Sequence, residues 1–271
     1  MKPNKQEYTS QELFVHRHKM QHHFITFWRI TIFVFFLGLW ELASRTKMID
    51  PFFFSSPSGI LTCFWTQCTT NQMMMHILIT LFETVISFLL VLLVSLLFAT
   101  VLWHCHTLSD ILEPYLVVLN SLPKSALAPL IIVWLGTGIK TIIIAGMSVA
   151  AFGAIISLHV GFHQVDKEKL ILIKTLGGTT HDAFVKVVLP GSIPIILSTA
   201  KVNIGLALVG VIIGEFLAAR RGLGYLIIYG SQVFQLDMVI TSIIILCIIA
   251  LVFYKAVQSM EHHIKKRYKF M

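Results

Sequence analysis

Few residues of this sequence have the types and spacing that catalysis or metal binding requires. His159 and His163 lie four residues apart and could share a helix face, but Val160 stands where a metalloprotease carries its glutamate. In the run His104-Cys105-His106, successive side chains point in different directions on a helix and cannot converge on one ion. We interpret the histidines of the N-terminal arm as part of a basic interfacial segment, namely His16, His18, His22 and His23. The sequence therefore predicts no catalytic residue and no metal site.

A nucleotide site is not expected either. The stretch Gly136-Thr137-Gly138-Ile139-Lys140-Thr141 comes nearest to a phosphate-binding loop, but it lacks two glycines separated by four residues and followed by Lys-Ser/Thr. The cysteines form no CxxC pair, so a disulfide between Cys63 and Cys68 is left as the less favoured alternative to free thiols.

The remaining candidates are ionisable residues inside long apolar runs, because a charge in hydrocarbon is costly and usually faces a cavity or a partner. Lys124 follows Pro123 in the middle of such a run, and no acid lies three or four residues away to pair with it. We therefore predict that Lys124 and the adjacent Ser125 line a pathway for an anionic solute. The alternatives left open are an ion pair with Glu83 or another carboxylate, and burial at an interface between two subunits.

Three other charges interrupt apolar runs. Glu215 lies near the end of its run and is added to the pathway candidates. Glu83 is expected at the outer interface of the membrane. Lys201 is interpreted as extending its long side chain to the cytoplasmic boundary.

The composition shows which kind of element positions these residues. Of 271 residues, 56% are hydrophobic and only 13% are charged, and the mean hydropathy is +0.82. Soluble domains carry about a quarter charged residues, so a soluble globular fold is excluded. The predicted fold class is an all-α polytopic membrane protein.

Long apolar runs predict the membrane helices, since a bilayer core is crossed by about 20 helical residues. Six stretches satisfy this length: Phe27–Ala43, Ile77–Trp103, Ile111–Leu135, Thr141–Leu158, Ile193–Phe216 and Met238–Tyr254.

The basic residues predict the orientation. Lysine and arginine concentrate in the N-terminal arm, in the connection between the fourth and fifth spans, and in the C-terminal tail. Because cytoplasmic segments carry the excess of basic residues, both termini are predicted to be cytoplasmic. This placement accounts for most of the net charge of +8 and removes the case for a nucleic-acid partner. The polar arm precedes the first apolar run, which is the wrong order for a cleaved signal peptide, so the first span is expected to remain as an anchor.

The connection of residues 160–192 is the most informative segment. Two amphipathic stretches flank Gly177 and Gly178, which predicts two short helices that meet at a turn. Pro190 and Pro194 then open the fifth span and fix how the connection joins it.

This segment resembles the signature loop of membrane permease subunits of bacterial binding-protein-dependent ABC importers. Gly177 is followed after nine residues by Val187-Val188-Leu189-Pro190, as in the pattern Gly, nine residues, Ile, any residue, Leu-Pro. The Glu-Ala-Ala start of that pattern is replaced by Ile171-Leu172-Ile173. The stretches Ser121-Leu122-Pro123 and Arg221-Gly222-Leu223-Gly224-Tyr225 are similar to the branch that handles nitrate, sulfonates and taurine.

The resemblance implies a six-helix type I importer permease. It has a basic arm (residues 1–26), a transmembrane domain (residues 27–258) and a basic tail (residues 259–271). The implied partners are a second permease copy, two ABC ATPase subunits that bind ATP and Mg, an extracytoplasmic substrate-binding protein, and membrane lipid. No cofactor is expected in this chain. The solute could be nitrate, a sulfonate, taurine or a pyrimidine precursor of thiamine, and an ATP-independent carrier or channel remains the alternative.

Two further sets of site residues follow from the resemblance. The expected ATPase-coupling residues are Lys174, Thr175, Leu176, Gly177, Gly178, Thr179, Asp182, Phe184, Leu189 and Pro190. The residues expected to dock the binding protein at the outer face are Arg220, Arg221, Gly222, Gly224 and Tyr225.

Overall fold

A computed structural model describes residues 10–70 and 72–268, and the described residues form helices and turns without a strand. The chain divides into two compact units, residues 1–62 and residues 63–271, and each is described by itself.

The first unit contains a long helix and a short one. Helix α1 spans Ser10–Arg45 and α2 spans Pro51–Phe54. Glu41, near the end of α1, accepts hydrogen bonds from the Arg45 side chain (2.7 Å) and from the Ser58 backbone N–H (3.1 Å) and hydroxyl (3.0 Å). These bonds tie the end of α1 to the start of α3, which spans Pro57–Thr69.

The second unit is built on four long helices and the shorter helices that connect them. The bounds are α4 Gln72–His104, α5 His106–Ser121, α6 Lys124–Leu135, α7 Ile139–His163, α8 Lys167–Thr175, α9 Thr180–Ala183, a π-helical turn Phe184–Val188, α10 Leu189–Gly191, α11 Ile193–Ala218, α12 Leu223–Gln232 and α13 Leu236–Tyr268. Helix α7 packs against both α4 and α11 and forms the centre of the bundle. The close approach of α7 and α11 requires glycine, because a Cβ atom on Gly210 would lie 2.7 Å from the Cα of Gly146.

Five of the predicted spans are confirmed as continuous helices, α1, α4, α7, α11 and α13, whose apolar parts are long enough to cross a bilayer. These helices are longer than the predicted apolar stretches, since a helix does not end where its apolar residues end.

The third predicted span, Ile111–Leu135, is not one straight helix. Two helices, α5 and α6, meet there at 96° instead of forming one straight helix. The break falls at Leu122-Pro123, where Leu122 has an extended backbone (φ −62°, ψ 139°). Proline lacks the N–H that a continuous helix would use and restricts the residue before it to extended conformations. Counting this bent pair as one span gives six among the described residues.

Candidate functional site

The connection between α7 and α11 has the predicted form of two short helices that meet at a turn. Helix α8 ends at Thr175 and α9 begins at Thr180. Gly177 takes a positive φ of 81°, which reverses the chain between them. Gly178 has an ordinary φ, but a Cβ atom there would lie 2.9 Å from the backbone oxygen of Ile173.

The start of α9 is closed by reciprocal hydrogen bonds. The Asp182 backbone N–H donates to the Thr179 hydroxyl oxygen (3.2 Å), and the Asp182 carboxylate accepts from the Thr179 backbone N–H (3.0 Å). Lys186 also donates to this carboxylate at 2.8 Å. Lys186 and Thr179 together hold the pKa of Asp182 well below its usual value. The carboxylate therefore stays charged at neutral pH, and its contribution to stability is lost only as the pH falls into the strongly acidic range.

Phe184 corrects one expectation for this segment. Its ring is buried and packs against Trp103, His104 and Phe162 at centroid distances of 5.1, 5.1 and 5.5 Å. It therefore anchors the connection to its own helical bundle and is not available to a partner. Leu176, in contrast, is 74% exposed at the tip of the turn. The other predicted coupling residues are exposed or half-buried: Lys174, Thr175, Gly177, Gly178, Thr179, Asp182, Leu189 and Pro190.

At the opposite end of the bundle, three successive backbone N–H groups meet three side-chain acceptors. Gly222 donates to His76 Nδ1 (2.8 Å) in the tautomer whose Nδ1 carries no proton, Leu223 donates to Thr80 Oγ1 (2.9 Å) and Gly224 to Glu215 Oε2 (2.5 Å). In the other tautomer, His76 Nδ1 donates to the Gly222 carbonyl oxygen at 3.1 Å. Thr80 in turn donates its hydroxyl to Glu215 Oε1 at 2.6 Å. We call this set the glycine clasp: His76, Thr80, Glu215 and residues Gly222, Leu223 and Gly224. It joins α4, α11 and the start of α12.

The glycine clasp corrects the expected roles of two glycines. Gly222 and Gly224 are buried and cannot dock a separate protein directly. Gly222 has a φ of 116°, and a Cβ atom on either glycine would overlap the Glu215 side chain. Arg220 and Arg221 are exposed, and Tyr225 is half-buried with its ring stacked 6.0 Å from that of His76.

Glu215 also lies elsewhere than expected, and Glu83 is buried. Glu215 is 1% exposed within the glycine clasp, so in this conformation it is a buried structural acceptor instead of a pathway surface. Glu83 is 0% exposed and is therefore buried in the bundle, and its depth in the membrane stays a prediction.

Sequence reasoning missed His76 and Thr80. The signal was present as polar residues at helical spacing along one face of α4, namely His76, Thr80, Glu83 and Ser87.

Lys124 lies at the break between α5 and α6. Its ammonium donates to the backbone oxygens of Leu119 and Asn120, the latter at 3.1 Å, and lies 5.4 Å from the centre of the Phe152 ring. A cation at the end of α5 satisfies carbonyl groups that the helix leaves free. The alternative of an ion pair with Glu83 is wrong, because Glu83 faces Glu215.

Next to Lys124 lies a cavity of about 530 Å³ between α5, α7 and α11, which we call the polar groove. Its amide and hydroxyl side chains are those of Asn120, Ser157, Ser198, Thr199 and Asn203, and the rest of its lining is apolar or glycine: Gly153, Pro194, Ile195, Val202 and Leu206. Neither pathway candidate of this region lines the cavity itself. Lys124 lies beside it through its hydrogen bond to Asn120, and Ser125 is exposed.

Two predictions remain, one for Lys201 and one for the pair Cys63 and Cys68. Lys201 forms an ion pair with Glu261 of α13, because α13 continues far enough to bring a carboxylate beside it. That its side chain reaches the cytoplasmic boundary stays a prediction. The cysteines Cys63 and Cys68 are free thiols, so the alternative disulfide is not formed.

The long apolar helices define a multi-pass membrane protein. The family model for the inner membrane component of binding-protein-dependent transport systems matches residues 92–270, and the chain belongs to this family. It is thus a transport permease of the ABC importer class and not an enzyme, as the resemblance implied. Members of this class work with an ATPase and a binding protein.

Curated relatives agree with this assignment, and a solved structure has a similar fold. The chain is 26% identical to a probable ABC transporter permease protein of Haemophilus influenzae, over 83% of this chain and 91% of the relative. It is 24% identical to the putative aliphatic sulfonates transport permease protein SsuC of Escherichia coli, over 77% of this chain and 80% of that protein. Its fold is similar to a chain of the MetNI methionine ABC transporter in an inward-facing conformation, with a TM-score of 0.60 and 18% identity over 68% of this chain and 92% of that chain.

Proposed function

We propose that this chain forms half of the pathway of an ABC importer for a small anionic solute of sulfonate or nitrate type, which an extracytoplasmic binding protein delivers. A pyrimidine precursor of thiamine is the second solute class. The observation that carries the proposal is the polar groove beside Lys124. Amide and hydroxyl groups that face lipid cost free energy, whereas the same groups can hydrogen-bond to water, to a solute or to a second chain.

The assembly that fits this groove is a two-fold homodimer with two ATPase subunits. One helical bundle offers a groove and not a closed channel, so a second copy is needed to complete the wall. The exposed tip around Leu176 and Gly177, together with Lys174, is the proposed contact with the ATPase, which binds ATP and Mg. The exposed Arg220 and Arg221 are the proposed contact with the binding protein.

Reconstitution of the purified complex tests this function directly. We expect equal numbers of permease and ATPase chains, two of each, and solute uptake that requires both ATP and the binding protein. Full-rate uptake by a complex with one permease and one ATPase would contradict the dimer. Uptake by the permease chain alone, without ATP, would contradict the importer and establish the carrier or channel.

The proposed orientation places both termini and the connection of residues 160–192 in the cytoplasm. It rests on the excess of basic residues in those segments. In a variant without the native cysteines, a cysteine at exposed Arg220 is expected to react with a membrane-impermeant thiol reagent added outside cells. A cysteine at exposed Lys174 is the matched control and should react only after the membrane is opened. The reverse pattern would invert the topology.

For Lys124, we expect Lys124→Met to raise the KM for an anionic solute, and Lys124→Arg to retain most of the affinity. Loss of one hydrogen bond to a charged group corresponds to about 1.5 to 3 kcal/mol, or roughly ten- to 100-fold in KM. The measurement is uptake by reconstituted complexes whose ATPase content and thermal stability match those of the wild type. Wild-type uptake by Lys124→Met would refute the pathway role, as would a neutral or cationic solute.

A further inference from the structure

Glu83 is the least satisfied buried polar group of the glycine-clasp region. It is 0% exposed, and no N–H or O–H group of the described residues donates to either of its carboxyl oxygens. Glu83 lies three residues after Thr80 on the same face of α4, and the Thr80 hydroxyl donates to Glu215 at 2.6 Å. The neighbour of Glu83 on this face is therefore another acid, the carboxyl of Glu215, which is 1% exposed. Two ionised carboxylates in contact and out of water would repel each other strongly.

The two carboxyl groups have unequal surroundings. Glu215 accepts hydrogen bonds from the Thr80 hydroxyl (2.6 Å) and from the Gly224 backbone N–H (2.5 Å). It also lies at the start of α12, where the helix dipole favours a negative charge. Glu83 has none of these donors. A protonated carboxyl group has an O–H to donate, so a proton on Glu83 gives both acids a hydrogen bond and removes the repulsion.

We propose that Glu83 and Glu215 form a buried proton-binding site, in which a proton held by Glu83 at neutral pH is donated in a hydrogen bond to the Glu215 carboxylate. The bond adds a further contact between α4 and the glycine clasp. Loss of this proton at alkaline pH leaves two negative charges in contact and loosens the clasp. This inference goes beyond the proposed transport function and does not depend on the identity of the solute.

The surroundings give the proton a route to water. Glu83 lines a cavity of about 510 Å³ together with Thr137, Gly138, Arg220 and Arg221. Both guanidinium groups belong to exposed residues, where water screens their effect on the buried pair. At this end of the packed helices, the other titratable groups include His76 of α4, Lys140 of α7, Tyr225 and Tyr229 of α12, and Asp237 of α13.

Infrared spectroscopy of the complex in lipid nanodiscs measures the proton directly. At pH 7 we expect the wild type to show a protonated-carboxyl C=O band that is missing in Glu83→Gln, whose amide keeps a donor in the same place. The band should persist in Glu113→Gln, a matched change of an exposed acid. It should disappear when the wild type is titrated to alkaline pH.

Thermal unfolding provides the second measurement. The wild-type midpoint should fall as the pH rises above neutral, because the native chain then holds one more proton than the unfolded chain, whose carboxyl is ionised. The midpoint of Glu83→Gln should lack this fall. If Glu83→Gln does not assemble, Glu83→Asp keeps the carboxyl and should move the band instead of removing it. Absence of the band from the wild type at pH 7, or its persistence in Glu83→Gln, would overturn the proposal.

Discussion

Replacing Gly222 with alanine is expected to destabilise the permease by about 2 to 6 kcal/mol, the sum of backbone strain and overpacking that are each of order 1 to 3 kcal/mol. Gly222 has φ 116° and ψ 164°, a conformation that is almost restricted to glycine. Its Cβ atom would overlap the Glu215 carboxylate, at 2.6 Å from Oε2. That carboxylate cannot move aside without breaking its hydrogen bonds to Thr80 and Gly224.

Thermal unfolding of the purified complex checks this result, with Gly205→Ala as the matched control. Gly205 lies on α11, the helix that carries Glu215, and a Cβ atom there meets nothing within 4 Å. Alanine in a helix interior is favoured over glycine by up to about 1 kcal/mol, so the control should be neutral or more stable. Equal stability of Gly222→Ala and the control would show that the glycine clasp does not hold the helices in the membrane.

Replacing Gly177 with valine is expected to reduce ATP-driven uptake by tenfold or more while capture of the solute by the binding protein is unchanged. A β-branched residue at φ 81° costs about 1 to 2 kcal/mol or more and shifts the chain toward a different turn. The space around Gly177 is empty, since a Cβ atom there meets nothing within 4 Å. The effect therefore comes from the backbone conformation that presents Leu176, and not from a clash within the chain.

The matched variant is Gly177→Asn, because asparagine tolerates the left-handed conformation. It should retain most of the uptake and of the bound ATPase, whereas Gly177→Val should lose both together. Uptake, ATPase content and solute-stimulated ATP hydrolysis are measured on the same preparations. Normal uptake by Gly177→Val with a normally bound ATPase would remove this turn from the proposed coupling contact.

The turn illustrates what local sequence determines. Its two short helices were predictable because Gly177 and Gly178 interrupt amphipathic stretches and Thr179 with Asp182 forms a local cap. The membrane helices were predictable for the same reason, since length and hydropathy along the chain are enough to identify a span. The bend at Pro123 was predictable as well, because proline interrupts a helix. Its angle of 96° was not predictable, because the packing of α5 and α6 against α7 sets that angle.

The sequence alone therefore determined the fold class, the positions of the helices, the signature turn and, through the resemblance, the family. Only the tertiary structure decided the roles of Glu83, Glu215, Gly222, Gly224 and Phe184. Each of these depends on a neighbour far away in the chain: Glu83 and Gly224 meet Glu215 of α11, and Phe184 meets Trp103 of α4. A residue's hydropathy gives its tendency to be buried, but the donor, acceptor or charge that it meets there is set by how the helices pack. For this reason an acid that the sequence assigned to the pathway is a hydrogen-bonded acceptor in the core.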